Sequence, residues 1–130
     1  SKGKSLSDRR IQIENISSGP VVILEGIYCK SFFCRLKGLM FQKSITRDFG
    51  LLLAENSESK INSAIHMFFM NFDIAVVWMD KNFCVVDVTI AKKGRPFYAP
   101  KRPAQYTLEI AKENWDQFHS GDQIKVTYVD

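Results

Sequence analysis

Apolar and polar residues alternate along much of this chain with a period of two. "RIQIEN" (10–15) places Ile11 and Ile13 on one side and predicts a short strand. "SSG" (17–19) marks a turn, and Pro20 opens "VVILEGIYCK", a β-rich stretch in which Gly26 is expected to mark a bulge. The period then changes. Ser31 is placed to cap a helix, and on a helical wheel Phe32, Phe33, Leu36, Leu39 and Met40 form one arc, expected to be a core face. Arg35, Gly38 and Cys34 lie on the other side of that wheel. Glycine inside a helix costs about 1 kcal/mol relative to alanine, so Gly38 marks either a close approach or the end of the helix.

Further along, "LLLAE" (51–55) reads as a short buried strand. "SAIHMFFMNFDIAVVWMD" (63–80) is the most β-like part of the chain, too long for one strand, so a break near Asn71 is expected. Asp80 to Phe83 reads as a hairpin with Lys81 and Asn82 at its turn, and "FCVVDVTI" as the return strand. With a two-residue turn, Asp87 falls opposite Val76, and Asp73 on the other face. "QYTLEIA" (105–111) turns Tyr106, Leu108 and Ile110 inward. "KENWDQFH" (112–119) is a short helix with Trp115 and Phe118 on one face, and "QIKVTYV" (123–129) closes the chain with Ile124, Val126 and Tyr128 inward. The expected fold is mainly β, an antiparallel sandwich or barrel-like sheet with two short helices at its edges.

The length of 130 residues suits one domain. Residues 1–10, "SKGKSLSDRR", are polar and charged and read as a disordered lead-in or an expression remnant, with one β-rich domain over 11–130. The balance of 18 basic against 14 acidic residues, net +4, permits weak attraction to anionic partners without requiring it. No apolar run reaches the ~18 residues of a membrane span.

Three cysteines, Cys29, Cys34 and Cys84, leave at least one outside any internal bridge. They read as small buried hydrophobes, and a Cys29–Cys34 bridge, though feasible, is favoured by nothing in the sequence. With cysteines read as free and no leader visible, the expectation is a cytoplasmic protein, or an exported one if a leader has been removed. No metal-ligand spacing is present, so no metal and no cofactor are expected.

Six blocks follow one another in order: "RLKGLMF" (35–41), "GLLL" (50–53), "IHMFFMNFDIAVVWMD" (65–80), "VVD" (85–87), "RPFYAPKRPAQYTLEI" (95–110) and "SGDQI" (120–124). Together the chain, over about residues 20–130, resembles the prokaryotic family catalogued as domain of unknown function 192. The resemblance implies a compact β-rich domain and no established activity, substrate or cofactor. Its pattern falls on Arg35, Gly38, Leu39, Met40, Gly50, Met67, Glu109, Gly121 and Asp122. The chain departs where the family commonly has an aspartate, at Ala75; Asp73 stands one pleat away instead.

Arg35 beside an apolar helix face either pairs with a carboxylate, with Asp73, Asp87 and Glu109 as candidates, or anchors an anionic ligand. The leading functional expectation is a non-catalytic module binding a small ligand or peptide. Its groove would lie beside the GLM helix and the HMFFM strand, lined by Arg35, Gly38, Met40, His66, Met67 and Asp73. The alternative is an enzyme using His66, Asp73 or Glu109 as acid and base, although no triad, phosphate loop or nucleophile accompanies them. A structural or assembly role is the third reading. The loop "KKGRPFYAPKRP" (92–103) gathers Lys92, Lys93, Arg95, Lys101 and Arg102 around Phe97 and Tyr98. Cations interleaved with aromatics suit an anionic partner such as single-stranded nucleic acid, but the balance favours a proline-stiffened loop with solvated charges, and nucleic acid is not the expected partner.

Overall fold

The computed structural model describes residues 8–17 and 22–129. Seven strands form one sheet: β1 (Asp8–Asn15), β2 (Val22–Cys29), β3 (Phe49–Ser59), β4 (Ile74–Met79), β5 (Val85–Ala91), β6 (Ala104–Ala111) and β7 (Ile124–Tyr128). Two short helices accompany them, α1 (Phe32–Lys37) and a 3₁₀ turn, η1 (Lys112–Gln117). The β-rich character and both helices match the sequence expectation. The spatial order is β5-β4-β6-β3-β2-β1-β7. β2 and β3 run parallel, joined by the crossover that carries α1, and every other neighbouring pair is antiparallel. The sheet is therefore mixed and does not close into a barrel. A lone bridge, Cys84 to Gln123, ties the starts of the two edge strands together, so the sheet curls.

Alternation along the strands builds two apolar layers, because successive side chains point to opposite faces. One lies within the curl and includes Ile13, Leu52, Val77, Leu108 and Phe118. The other, with Leu51, Leu53, Val76 and Trp78, lies on the opposite face and is covered by irregular chain carrying Leu39, Ile65, Met67 and Met70. That cover makes both faces of the central strands buried. Hence β4 is buried throughout, and β6 buries Thr107 and Glu109 as well as Leu108 and Ile110.

Several local expectations are corrected. Gly26 marks no bulge. It pairs in continuous register with Ile11 and Gly50, and a Cβ there would lie 2.3 Å from the Gly50 carbonyl oxygen, so glycine is required by close approach. The run 63–72 is not a strand. It makes one isolated bridge, Ile65 to Tyr98, and is apolar because it roofs the second layer. The expected break holds, since β4 begins at Ile74. The β4–β5 turn places Phe83 at φ 60° and closes with Asp80 N–H donating to the Cys84 carbonyl. That turn and a bulge after Trp78 shift the register, so Asp87 faces Trp78 and Val76 faces Thr89. Phe118, just after η1, packs in the core, while Trp115 within it is exposed. The lead-in expected over 1–10 lies, for residues 1–7, outside the described residues; β1 already includes 8–10. The turn expected at 17–19 also falls mostly outside them.

Candidate functional site

Helix α1 forms as its sequence directs. The Ser31 side chain accepts a hydrogen bond from the Cys34 N–H at 3.2 Å, and Gly38 ends the helix at φ 48°, a conformation that favours glycine. The arc expected to face the core does not. Phe32, Phe33 and Leu36 are 64%, 78% and 51% exposed, and no residue of α1 is buried. The helix stands as a wall over the outer layer, where Leu39 alone of that arc is buried. Two ties hold it there. A disulfide joins Cys29 at the end of β2 to Cys34, correcting the expectation that these cysteines are free; Cys84 has no such partner. Arg35 pairs with Glu55 of β3, Nη1 to Oε1 at 2.5 Å. Gly38 lies directly over Glu109, where an added Cβ would sit 3.2 Å from Oε1.

Between this wall, β3, β6 and the 62–70 segment lies a cavity of about 300 Å³. Of the residues singled out from sequence, Arg35, Gly38, Met40 and His66 line it. Met67 does not. It is buried in the outer layer, its backbone held by Arg95 and Gly94. Nor does Asp73, whose carboxylate accepts the Lys93 N–H at 2.9 Å beside a separate shallow depression. Asp73 precedes β4, and Ala75 packs inside the curl, so no carboxylate has moved along a shared strand face. Asp87 is also elsewhere, accepting the N–H groups of Val88 and Lys101. Thus of the three acids considered as partners for Arg35, none pairs with it.

Glu55 was missed as the partner, although it follows Leu51 and Leu53 on the same face of β3. Glu109 is the site's other acid. Its neighbours across the ladder are Val76 and Leu51, and it is 5% exposed. Burial pushes its carboxyl up to about 7 from 4.5. Two polar atoms on residues that line this cavity are buried without a hydrogen-bond partner, Arg35 Nε and Glu109 Oε1. Such groups cost about 1–3 kcal/mol each when left unmatched, so paired orphans at one spot call for an explanation. His66 Nδ1 accepts the Phe68 N–H at 3.2 Å, which fixes its proton on Nε2. The His66 ring lies against Phe68, and Phe41 stacks on Phe69, extending the apolar rim.

The basic loop is pinned rather than free. The Tyr98 hydroxyl accepts the Lys92 N–H, the Lys101 N–H reaches Asp87, and Arg102 reaches the Val86 carbonyl. Lys92, Lys93 and Arg95 are exposed, as is Phe97, whereas Tyr98 packs on the outer layer. Gly121 and Asp122 form a turn in which the Asp122 carboxylate accepts from Asn15 and from the His119 N–H. Among the described residues no cluster of three or more His, Cys, Asp or Glu is arranged to hold a metal, and no helix is long and apolar enough to cross a membrane.

A single curled mixed sheet, roofed by loops that enclose an acid-floored cavity, is the class of domain these features define. The chain belongs to the DUF192 family, described as "Uncharacterized ACR", whose model matches residues 17–126. It is 37% identical over 95 residues to a UPF0127 protein of Pyrococcus furiosus, covering 73% of this chain and 78% of that one. It is 43% identical over 79 residues to a UPF0127 protein of Thermococcus kodakarensis, covering 61% of this chain but only 48% of that protein, about half its length. A solved structure from Sinorhizobium meliloti, described as a candidate transcription regulator, superposes with a TM-score of 0.84 at 15% identity over 95% of this chain and 98% of that chain. One from Novosphingobium aromaticivorans, described as of unknown function, gives 0.76 at 14% identity, over 96% and 89%. At that identity these two share the fold alone.

Proposed function

We propose that this domain is a non-catalytic binding module whose cavity beside the GLM helix takes a small ligand or the end of a peptide, with Arg35 and Glu109 as its polar contacts. The observation that carries this reading is the pair of buried, unmatched polar atoms, Arg35 Nε and Glu109 Oε1, on two residues that line one cavity. A folded domain rarely leaves two such groups together unless something else satisfies them. The exposed Phe32 and Leu36 at the mouth supply apolar surface for the rest of the ligand.

A second reading, an acid–base enzyme, draws on His66 and Glu109 lining the same cavity. It lacks Asp73, which lies elsewhere, and the hydroxyls that line the cavity, Ser63 and Thr107, donate to backbone carbonyls rather than to His66 or Glu109. A fragment screen followed by amide chemical shifts tests the binding reading. Ligands that perturb Arg35, Gly38 and Glu109 and are recovered unchanged support it; turnover of a bound fragment favours the enzyme. No fragment perturbing these residues overturns both.

The partner is a small molecule or peptide rather than nucleic acid, since Tyr98 is committed to the core and to Lys92, leaving Phe97 as the loop's exposed aromatic. The cytoplasmic expectation rested on free cysteines as well as on the lack of a visible leader, and the Cys29–Cys34 bridge removes two of the three cysteines from that argument.

A further inference from the structure

The chemistry of the cavity narrows the class of ligand, on the reading that the cavity is a binding site. The charged and titratable groups that face it are Arg35 and Lys37 from α1, Glu55 from β3, Glu109 from β6 and His66 from the roofing segment. Arg35 spends Nη1 on Glu55, which balances its charge while leaving the Nε–H unused. Glu109 has only apolar cross-strand neighbours, so its neutral form, with an O–H to donate, is the form its surroundings favour. The floor thus offers two donors and requires acceptors. Leu53, Ile65 and Met70 form an apolar part of the wall, beside the polar Asn62, Ser63 and Thr107, and Phe32 and Leu36 are exposed at the mouth. At about 30 Å³ per water-sized group, the space of about 300 Å³ holds about ten heavy atoms.

We propose that the cavity takes a monocarboxylate with an apolar body, its carboxylate accepting one hydrogen bond from Arg35 Nε–H and one from the Glu109 carboxyl O–H. The apolar body lies against Leu53, Ile65 and Met70 and leaves past Phe32 and Leu36. A free medium-chain acid and a polypeptide C-terminus ending in an apolar residue both carry this chemistry. The ligand meets Glu109 in its protonated form, so above the pH where Glu109 ionises, each binding event takes up one proton. Gly38 is part of the design: a side chain there would press on the Glu109 carboxyl.

The test is calorimetric titration of the full chain with octanoate, octanamide and two tetrapeptides ending in leucine, one with a free and one with an amidated C-terminus, from about pH 6 to 9. Octanoate or the free-acid peptide binds at least about tenfold more tightly than its amide, and whichever acid is tighter identifies the natural source. Its Kd is flat below about pH 7 and rises up to about tenfold per pH unit above it. Glu109→Gln keeps a donor in place, so the variant binds with no rise above about pH 7; this also separates Glu109 from His66. Arg35→Lys, which preserves the charge but not the Nε–H, weakens binding at least about tenfold. Amides that bind as tightly as acids, or a pH-independent Kd in the unmodified chain, overturn the carboxylate assignment and leave the binding site standing. No binding of any of the four probes, together with a fragment screen that leaves Arg35, Gly38 and Glu109 unperturbed, overturns the site itself.

Discussion

Glu109→Gln should make the domain more stable at neutral and alkaline pH while changing it little in acid. The Glu109 carboxyl ionises near 4.5 when the chain is unfolded and near about 7 when it is folded, because burial between Leu51 and Val76 disfavours the charge. Between those values the folded chain keeps a proton that the unfolded chain releases. Stability contributed by this group is therefore full below about pH 4.5 and is lost as pH rises through about 7. The interval from 4.5 to about 7, at about 1.4 kcal/mol per pH unit, makes the loss about 3 kcal/mol. Glutamine does not titrate. The variant should thus gain about 3 kcal/mol relative to the unmodified chain between about pH 4.5 and pH 8. Urea unfolding followed through Trp78, which is buried with its indole N–H on the Ser63 carbonyl, reads this directly. Subtracting the two stability curves cancels the other acids. A flat difference would show that Glu109 is solvated or paired, and the account of the cavity floor would fail with it.

Other substitutions test the rest of the site. Gly38→Ala, at φ 48° and 3.2 Å from Glu109 Oε1, should lower the urea stability by about 1–3 kcal/mol. Gly26→Ala, whose Cβ would meet the Gly50 carbonyl at 2.3 Å, should cost more than Gly38→Ala or prevent folding, seen as loss of the dispersed amide spectrum. Reducing the Cys29–Cys34 bridge, which closes a very short loop, should cost about 2 kcal/mol and speed hydrogen exchange in α1 ahead of the strands; uniform exchange would mean α1 is held some other way. Phe33→Ser should change stability by less than about 0.5 kcal/mol, as its 78% exposure requires, whereas a core residue would cost several times more.

The strands were legible where alternation reports a face buried against one side only. Ile11 and Ile13, Leu108 and Ile110, and Ile124 all fell inside the curl as their spacing predicts. Ser31 was legible as a cap because its chemistry is local. What the pattern misjudged depends on chain far away in sequence. The apolar arc of α1 looks like core because a helical wheel assumes that an apolar stripe has something to cover, and α1 sits outermost. The run around His66 is apolar because it roofs the sheet, and period alone does not separate a roof from a strand. Glu109 occupies the polar phase of its strand, which reads as solvent-facing, and Glu55 ends an apolar phase after Leu51 and Leu53, which reads as the strand leaving the core. They become interior only because the GLM segment and residues 62–70 fold over them. The parallel pairing of β2 with β3 likewise follows from the crossover through α1, which no strand pattern encodes.

The most direct test of the account is the titration of the Glu109 side-chain carboxyl, followed by its carbon chemical shift with and without saturating octanoate. A carboxylate resting against the protonated acid must favour that form, so the midpoint near about 7 should move upward by at least about one pH unit on binding. A midpoint that stays in place or falls would contradict a carboxylate bound at Glu109.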